Sequence, residues 1–293
     1  MYFESVSYIP VQESCQLISD TNTIKANKSL GDLVVQGLLA GAYISLAGAA
    51  STMIAFNLLA NPETFGLGRL LAGIIFPCGL VLVVLAGAEL FTGNTMMLLP
   101  LAQRRITIYK MLRNWGVVYF ANFVGAVTLA FLVYQSGQLS LPPSQNSFGG
   151  NGYDMLGGVA IVTAAIKCSF TFWEAFLLGV FCNWLVCLAV WMSIAIKDTA
   201  GKILSIFFPI WVFVAAGFEH SIANMYFVPV GLFASQNTDL MLAATQVAPQ
   251  AVLDNLSWEN FFIKNLVPVT LGNTLSGGVF VALVYGYIYR AKP

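Results

Sequence analysis

Six long apolar runs dominate the sequence and constrain its fold more than any other feature. A helix needs about 20 apolar residues to cross a bilayer. Four of the runs match one such helix each, at residues 33–59, 115–134, 168–196 and 261–289. Charged residues make up only 9% of the 293 positions, whereas a soluble domain usually contains about 25%. The sequence therefore predicts an all-α integral membrane protein in a lipid bilayer, and its zero net charge points to no nucleic-acid partner.

The second and fifth apolar runs have an unusual length. Residues 70–102 form a run of 33 positions and residues 203–234 a run of 32. Each run is too long for one comfortable span and too short for two, and each contains two prolines. This pattern predicts helices that are broken within the membrane, with an irregular segment lining a cavity.

Basic residues are distributed unequally between the two sides of a six-span protein. Of the thirteen, only Arg69, Lys167 and Lys264 fall on the side opposite both chain ends. Because Lys and Arg accumulate in cytoplasmic loops, both termini are predicted to be cytoplasmic, in a bacterial inner membrane. The first residues lack a basic stretch followed by an apolar run, so no cleavable signal peptide is expected. The predicted divisions are a cytoplasmic N-terminal segment at residues 1–30, a six-span domain at residues 31–290 and a cytoplasmic tail at residues 291–293.

A pattern in the second apolar run recurs in the fifth. Residues 87–94 and 217–224 both read G-x-E-x-x-x-small-N, offset by 130 positions. In spans three and six, a basic residue and an asparagine are followed eight positions later by another asparagine, Asn122 or Asn273. Three spans per half is an odd number, so the halves must insert in opposite orientations. The sequence thus predicts two inverted three-helix repeats, with the breaks of the second and fifth helices face to face near the midplane.

Ionisable residues inside these spans are few, and each costs at least ~2.5 kcal/mol at the centre of a span unless it is buried and partnered. His220, the only histidine, sits at the second break and can donate a hydrogen bond or a proton to a passing solute. Glu89 and Glu219 precede the breaks and are interpreted as structural, accepting hydrogen bonds from backbone N–H groups freed there. Thr92 is expected to hydrogen-bond His220 across the pseudo-twofold axis, and Gly93 to supply backbone freedom.

Lys167 lies at the end of a short apolar run. An ammonium group at the mouth of a pathway raises the local concentration of anions, whereas an interfacial lysine reaches towards lipid headgroups. Position alone leaves both interpretations open. The five cysteines are odd in number and lack metal-site spacing, so neither a metal nor a cofactor is expected.

Six segments carry a resemblance to a known family. One of them, AELFTGNTMML, contains the first break, and another, AAGFEHSIANMY, contains the second. Together the six segments resemble the formate/nitrite transporter family over every span but the first. They are residues 88–98, 114–126, 167–175, 182–192, 215–226 and 265–277.

The resemblance implies a homopentamer of aquaporin-like protomers, each with its own pore for a small monovalent anion. It implies a central His220 flanked by Thr92 and Asn183. An outer Lys167 is expected to have Thr171 and Glu174 nearby. The substrate pathway is further expected to include Asn224 and, at its cytoplasmic mouth, Lys25.

Two apolar constrictions are also implied. The cytoplasmic one is expected at Phe76, Leu80 and Phe213, and the outer one at Leu90, Phe91 and Val186. The residues expected to hold the breaks and the adjoining spans in place are Glu89, Gly93, Asn94, Glu219, Glu174, Asn122 and Asn273.

The substrate is the least constrained feature. GAELFTGNTMML and CNWLVCLAVWMS look closer to nitrite-type and bicarbonate-linked members, and Ser169-Phe170 stands where many formate-type members carry histidines. We therefore expect a nitrite channel with possible proton coupling, and formate or bicarbonate as the alternatives. An aquaporin-like neutral-solute channel is a rival of another class, but its two Asn-Pro-Ala breaks are absent from the sequence. An enzyme is not expected, because no H-E-x-x-H pair or paired aspartates occur in the spans.

Overall fold

The computed structural model describes residues 8–140 and 154–290 of the chain. Its regular elements are helices, and six stretches are long and apolar enough to cross a membrane. This confirms the predicted number of spans. The predicted tail at residues 291–293 and the first seven residues lie outside the described part. The six spans are Leu30–Leu59, Phe65–Leu85, Ile108–Ser140, Phe172–Ala195, Thr199–Ala216 and Trp258–Ile288.

The α-helices of the described residues are numbered in chain order. They are α1 (Val11–Ala26), α2 (Leu30–Leu59), α3 (Phe65–Ile75), α4 (Pro77–Leu85), α5 (Phe91–Asn94), α6 (Leu98–Ala102), α7 (Ile108–Gln135), α8 (Asp154–Lys167), α9 (Phe172–Ala195), α10 (Thr199–Ala216), α11 (Ser221–Ala234), α12 (Thr238–Val247), α13 (Gln250–Leu253), α14 (Trp258–Asn260), α15 (Val267–Leu275) and α16 (Val284–Ile288). Short 3₁₀ turns occupy Thr95–Met97 and Gln138–Ser140, and the sixth span contains π-helical stretches at Phe261–Leu266 and Ser276–Leu283.

The second and fifth spans are broken, as the sequence predicts. Residues 86–90 separate α4 from α5, and residues 217–220 separate α10 from α11. Gly87 and Gly217 both adopt φ = +81°, a left-handed conformation that glycine reaches without the penalty of a side chain. The expectation that Gly93 supplies this freedom is wrong, because Gly93 lies inside α5 and Gly87 makes the turn.

Glycines allow the helices of each half to pack backbone against backbone. In the first half, a Cβ added to Gly41 would fall on the carbonyl oxygen of Asn122, so α2 and α7 touch directly. In the second half, a Cβ added to Gly272 would fall on the carbonyl oxygen of Phe176, and α9 and α15 touch in the same way. Such close approach is typical of helix pairs in lipid. The equivalent contacts support the predicted inverted repeat.

The N-terminal helix α1 packs against the membrane domain. Its Cys15 and Ile18 side chains are buried against the ends of several spans. Asp20 forms an ion pair with Arg105 at 2.5 Å, and Ser19 hydrogen-bonds Gln103 in the turn after α6. We call the side of the protein that holds α1 the terminal side and the opposite side the far side.

Candidate functional site

A cluster of polar side chains holds the first break. Glu89 accepts hydrogen bonds from Asn94 Nδ2 at 2.7 Å and from Lys28 Nζ at 2.8 Å. Asn94 Nδ2 also donates to Asn114 Oδ1 at 2.9 Å. Lys25 Nζ lies 3.0 Å from Asn94 Oδ1 and 3.6 Å from the Glu89 carboxylate. We call these five residues the first-break cluster; two lysines share its one carboxylate.

The second break repeats the same bonds. Glu219 accepts from Asn224 Nδ2 at 2.7 Å and from Lys167 Nζ at 2.6 Å. Asn224 Nδ2 also donates to Asn265 Oδ1 at 2.7 Å, and Asn265 Nδ2 donates to the Lys167 carbonyl at 2.9 Å. We call these four residues the second-break cluster. It contains one lysine, whose charge is compensated by the Glu219 carboxylate.

Two asparagines, rather than the glutamates, satisfy the backbone groups freed at the breaks. Asn122 Oδ1 accepts the Phe91 N–H at 3.0 Å, while its amide donates to the Gly37 and Glu89 carbonyls at 2.8 and 2.9 Å. The expectation that the carboxylates accept these N–H groups is therefore wrong. A break frees both donors and acceptors, and an amide side chain satisfies both kinds, whereas an ionised carboxylate only accepts.

Asn273 does the same at the second break. Its Oδ1 accepts the Ser221 N–H at 2.9 Å, and its amide donates to the Gly179 and Glu219 carbonyls at 2.8 and 3.0 Å. The two asparagines are the pair that the sequence motif of spans three and six singles out. The structure thus supports the structural interpretation of both.

His220 and Thr92 join the two breaks. Thr92 Oγ1 lies 3.0 Å from His220 Nε2, so the hydrogen bond expected across the pseudo-twofold axis is present. His220 is also the N-cap of α11, because its Nδ1 accepts the Ala223 N–H at 3.1 Å. Asn183 Nδ2 donates to the Thr92 carbonyl at 3.1 Å and to the Asn273 carbonyl at 2.7 Å. Asn183 therefore holds Thr92 in position, and all three predicted central side chains lie together.

A cavity of about 90 Å³ opens on the far side of His220. It is lined by the second-break carboxylate and ammonium, one guanidinium group and four phenylalanines. Asn224, expected in the pathway, also lines this cavity. The lining residues used below are Arg69, Phe76, Lys167, Phe213, Glu219, His220, Asn224 and Phe227.

A larger cavity of about 330 Å³ lies on the terminal side. Helix α1 contributes part of its wall, including Lys25, and the connection from α1 to α2 contributes Lys28. Thr92 lies between the two cavities. Leu90, two residues before it, lines the terminal-side cavity, and His220, which Thr92 contacts, lines the far-side cavity. The lining residues used below are Lys25, Lys28, Leu80, Glu89, Leu90, Gly93 and Lys202.

The apolar side chains expected at two constrictions are grouped differently in the structure. Phe76 and Phe213 line the far-side cavity, with ring centroids 5.6 Å apart, while Leu80 and Leu90 line the terminal-side cavity. The direction of each span explains the difference. Helices α3 and α4 run from the far side, so Phe76 precedes Leu80 on that side; α10 runs towards the far side, and Phe213 lies near its far end.

Four further predicted residues line neither cavity. The Phe91 ring packs edge-on against Tyr119, with centroids 4.9 Å apart, and Val186 is buried in α9. Thr171 is exposed and caps α9, where its hydroxyl donates to Glu174 Oε2 at 2.8 Å. Glu174 completes this capping box and thus stabilises the start of the fourth span rather than either break.

Arg69 and Lys28 line the cavities, although the sequence motifs do not identify them as site residues. Arg69 was counted only for topology, although it stands beside a long apolar run. Lys28 lies three positions after Lys25, in the connection between α1 and α2, and both ammonium groups reach the Glu89 carboxylate. In residues 8–140 and 154–290 no group of three or more His, Cys, Asp or Glu side chains is arranged to hold a metal ion.

Comparisons with known proteins agree with this geometry. The model of the family described as "Formate/nitrite transporter" matches residues 12–287. The chain is 41% identical over 281 residues to the "Probable formate transporter" of Methanothermobacter thermautotrophicus, covering 94% of both chains. It is 38% identical over 287 residues to "Formate channel FocA" of Haemophilus influenzae, covering 98% of this chain and 96% of the relative.

A solved structure described as "Pentameric formate channel with formate bound" is also similar. It superposes with a TM-score of 0.72 at 34% identity, covering 89% of this chain and 98% of the other. Members of the matched family are channels and transporters rather than enzymes. The chain is therefore an integral membrane transport protein that belongs to the formate/nitrite transporter family.

Proposed function

We propose that this chain conducts formate along a pathway inside each protomer. The pathway runs from the far-side cavity, past His220 and Thr92, to the terminal-side cavity. The observation that carries the proposal is the pair of cavities, each holding a lysine–glutamate cluster, on either side of the hydrogen bond between His220 and Thr92. In agreement with the distribution of basic residues, the terminal side faces the cytoplasm, and the membrane is a bacterial inner membrane.

Formate is a better-supported substrate than nitrite. Two relatives that match 94% and 98% of the chain carry formate in their names, as does the similar solved structure. The nitrite expectation rests on two short segments, and the difference at Ser169-Phe170 lies outside both cavities. Nitrite and bicarbonate have the same charge as formate and are the competing substrates.

An excess of basic side chains makes both cavities attractive to anions. The terminal-side cavity has Lys25, Lys28 and Lys202 against one carboxylate, Glu89. The far-side cavity has Arg69 and Lys167 against Glu219. Positive charge between low-dielectric walls raises the local concentration of anions.

His220 supplies a hydrogen bond rather than a proton in this mechanism. Its Nδ1 accepts the Ala223 N–H, so the ring hydrogen of the neutral imidazole sits on Nε2 and points to Thr92. Protonating Nδ1 would break the cap of α11. An anion pays a desolvation cost in an apolar segment, and here that segment is short, because the Phe213 ring centroid lies only 6.0 Å from that of His220.

We also propose that the chain forms a homopentamer, which agrees with the similar pentameric formate channel. Large apolar side chains are exposed along the outer faces of α2, α9 and α15, for example Val35, Leu177 and Leu271. Lipid or neighbouring protomers cover such faces. Native mass spectrometry from detergent tests the stoichiometry, and a monomer would contradict it.

The substrate is tested by stopped-flow uptake into proteoliposomes, with internal pH and membrane current recorded. We expect formate uptake well above that of protein-free liposomes and above nitrite and bicarbonate uptake, accompanied by current. Nitrite uptake above formate uptake would restore the nitrite hypothesis. Electroneutral formate uptake with matching internal acidification would contradict the neutral role of His220, and glycerol or water flux without anion uptake would overturn the anion pathway itself.

A further inference from the structure

Arg69 and Lys167 are the two cationic side chains of the far-side cavity, and they differ in how their charge is used. The Lys167 ammonium lies 2.6 Å from the Glu219 carboxylate, so its charge is compensated. Within the described ranges, Arg69 forms no ion pair. An incoming anion therefore meets in Arg69 the cation whose charge is not already paired.

Two backbone carbonyls fix the Arg69 side chain. Its Nε donates to the Ala215 carbonyl at 3.3 Å, and its Nη2 donates to the Val214 carbonyl. Both carbonyls belong to the last turn of α10, where the helix dipole favours a positive charge. A Cβ added to Gly217 would lie 2.9 Å from Nη2, so the guanidinium rests directly against the second break.

These two bonds leave one edge of the guanidinium free. The group has five N–H donors in a rigid plane. The edge formed by Nε and one Nη2 hydrogen binds the α10 carbonyls. Nη1 and the second Nη2 hydrogen have no acceptor among the described residues. This second edge has the spacing of a two-oxygen anion such as a carboxylate, which a guanidinium binds through two parallel hydrogen bonds.

We propose that Arg69 is a specificity-determining residue, which binds two-oxygen anions through its free edge at the far-side entrance to the pathway. The inference rests on the proposed anion conduction and deepens it. Formate docks on Arg69 before it passes Phe76 and Phe213 to reach the His220 donor. Anions without two oxygen atoms, such as chloride, gain only the electrostatic attraction to the guanidinium charge.

The terminal-side cavity works differently. Its cationic groups are the ammonium groups of lysines, which act as point charges without a planar edge. Recognition of the two-oxygen shape is therefore a property of far-side entry alone. This asymmetry gives the experiment an internal comparison.

The first test measures initial formate uptake at increasing concentration in vesicles sorted by orientation. Arg69→Lys keeps the charge and removes the planar edge. We expect it to raise the half-saturating formate concentration for far-side entry roughly tenfold, equivalent to one charge-assisted hydrogen bond, with terminal-side entry unchanged. Arg69→Gln should raise it further, because the charge is lost as well. The matched control Lys264→Gln, which removes an exposed far-side charge, should leave both directions unchanged.

Each outcome bears on a different statement. If Arg69→Lys behaves as the wild type while Arg69→Gln is impaired, only charge matters and the two-oxygen edge plays no part. If neither variant changes far-side entry, Arg69 does not bind the anion. If the wild-type protein conducts no formate at all, the proposed function fails independently of Arg69.

A second measurement uses the wild-type protein, in case the variants do not fold. Butane-2,3-dione modifies arginine side chains, and mass spectrometry reports the modification rate at each site. We expect formate, but not chloride at equal concentration, to slow modification of Arg69 several-fold. The rate at exposed Arg104 should not change. Equal protection of Arg69 by both anions, or by neither, would overturn the proposal.

Discussion

Thr92 Oγ1 lies 3.0 Å from His220 Nε2, so the first turn after one break contacts the last residue of the other. The second ring nitrogen of His220 accepts the Ala223 N–H at 3.1 Å. One imidazole thus has two roles: Nδ1 caps α11, and Nε2 faces Thr92 between the cavities. A substitution by asparagine can separate these two roles, because asparagine caps helices well but does not extend as far as an imidazole.

His220→Asn should keep the fold and lose the transport function. Its side-chain oxygen can accept the Ala223 N–H in place of Nδ1, so we expect a thermal unfolding midpoint close to that of the wild type. The donor at the Nε2 position is lost, so formate uptake into proteoliposomes should fall at least tenfold. Thr92→Val, which removes the hydroxyl that faces the histidine, should also reduce uptake.

His220→Ala is the matched control. It removes the cap as well as the donor, which costs roughly 1 kcal/mol at a helix N-terminus. We therefore expect lower thermal stability than in His220→Asn together with equally low uptake. Wild-type uptake in a folded His220→Asn protein would show that Nε2 plays no part in the pathway.

The pairing of Glu219 with Lys167 makes a second prediction about stability. Both side chains are largely buried, with 4% and 14% of their surface exposed. Removing one partner of a buried ion pair costs about 3–5 kcal/mol, because the other charge is left uncompensated. Glu219→Gln should therefore lower the thermal unfolding midpoint markedly, whereas Glu63→Gln at an exposed position should not.

Adding Lys167→Met to Glu219→Gln should restore part of the lost stability. The double variant has no orphaned ammonium group, so the two effects are expected to be non-additive. Additive losses in a double-mutant cycle would mean that the two charges do not interact in the folded protein.

The breaks were predictable because their signal is local in the sequence. Each glutamate and the asparagine five positions later form the same hydrogen bond, at 2.7 Å in both Glu89–Asn94 and Glu219–Asn224. The repeated eight-residue spacing likewise identified Asn122 and Asn273. Close spacing along the chain restricts where two side chains can meet, so a repeated motif carries geometric information.

The cationic partners were not predictable from such motifs. Lys28 is 61 positions from Glu89, Lys167 is 52 from Glu219, and Arg69 is 146 from Ala215. These contacts depend on how helices pack across the whole domain. The side on which Phe213 and Leu90 lie depends on the same packing, which is why the constriction residues were grouped incorrectly.

A third prediction concerns the two asparagines that satisfy the breaks. Asn122→Leu would leave the Phe91 N–H and the Glu89 carbonyl without their Asn122 partner, and the Gly37 carbonyl would lose its bond from outside α2. Each unsatisfied buried group costs about 1–3 kcal/mol, so we expect little folded protein after purification. Because Asn273 makes the equivalent three bonds, Asn273→Leu should have the same effect.

Asn27→Leu provides the comparison, since Asn27 is an exposed asparagine and its loss should change stability little. Size-exclusion chromatography in detergent measures the yield of folded oligomer for each variant. A normal yield of one asparagine variant and loss of the other would contradict the equivalence of the two breaks.

Close backbone packing between α2 and α7 makes the last prediction. Gly41→Ala would place a methyl group on the Asn122 carbonyl oxygen and force the helices apart. A backbone atom cannot move aside as a flexible side chain does, so the cost should exceed the ~1–3 kcal/mol typical of overpacking. The same separation would pull Asn122 away from the first break, and we therefore expect Gly41→Ala to lose both thermal stability and formate uptake.

Gly116→Ala in α7 is the matched control: its added methyl group would meet no atom within 4 Å, so stability should stay the same or rise by up to about 1 kcal/mol. If both alanine variants conducted formate equally well, direct contact between the α2 and α7 backbones would not be what holds the first break in place.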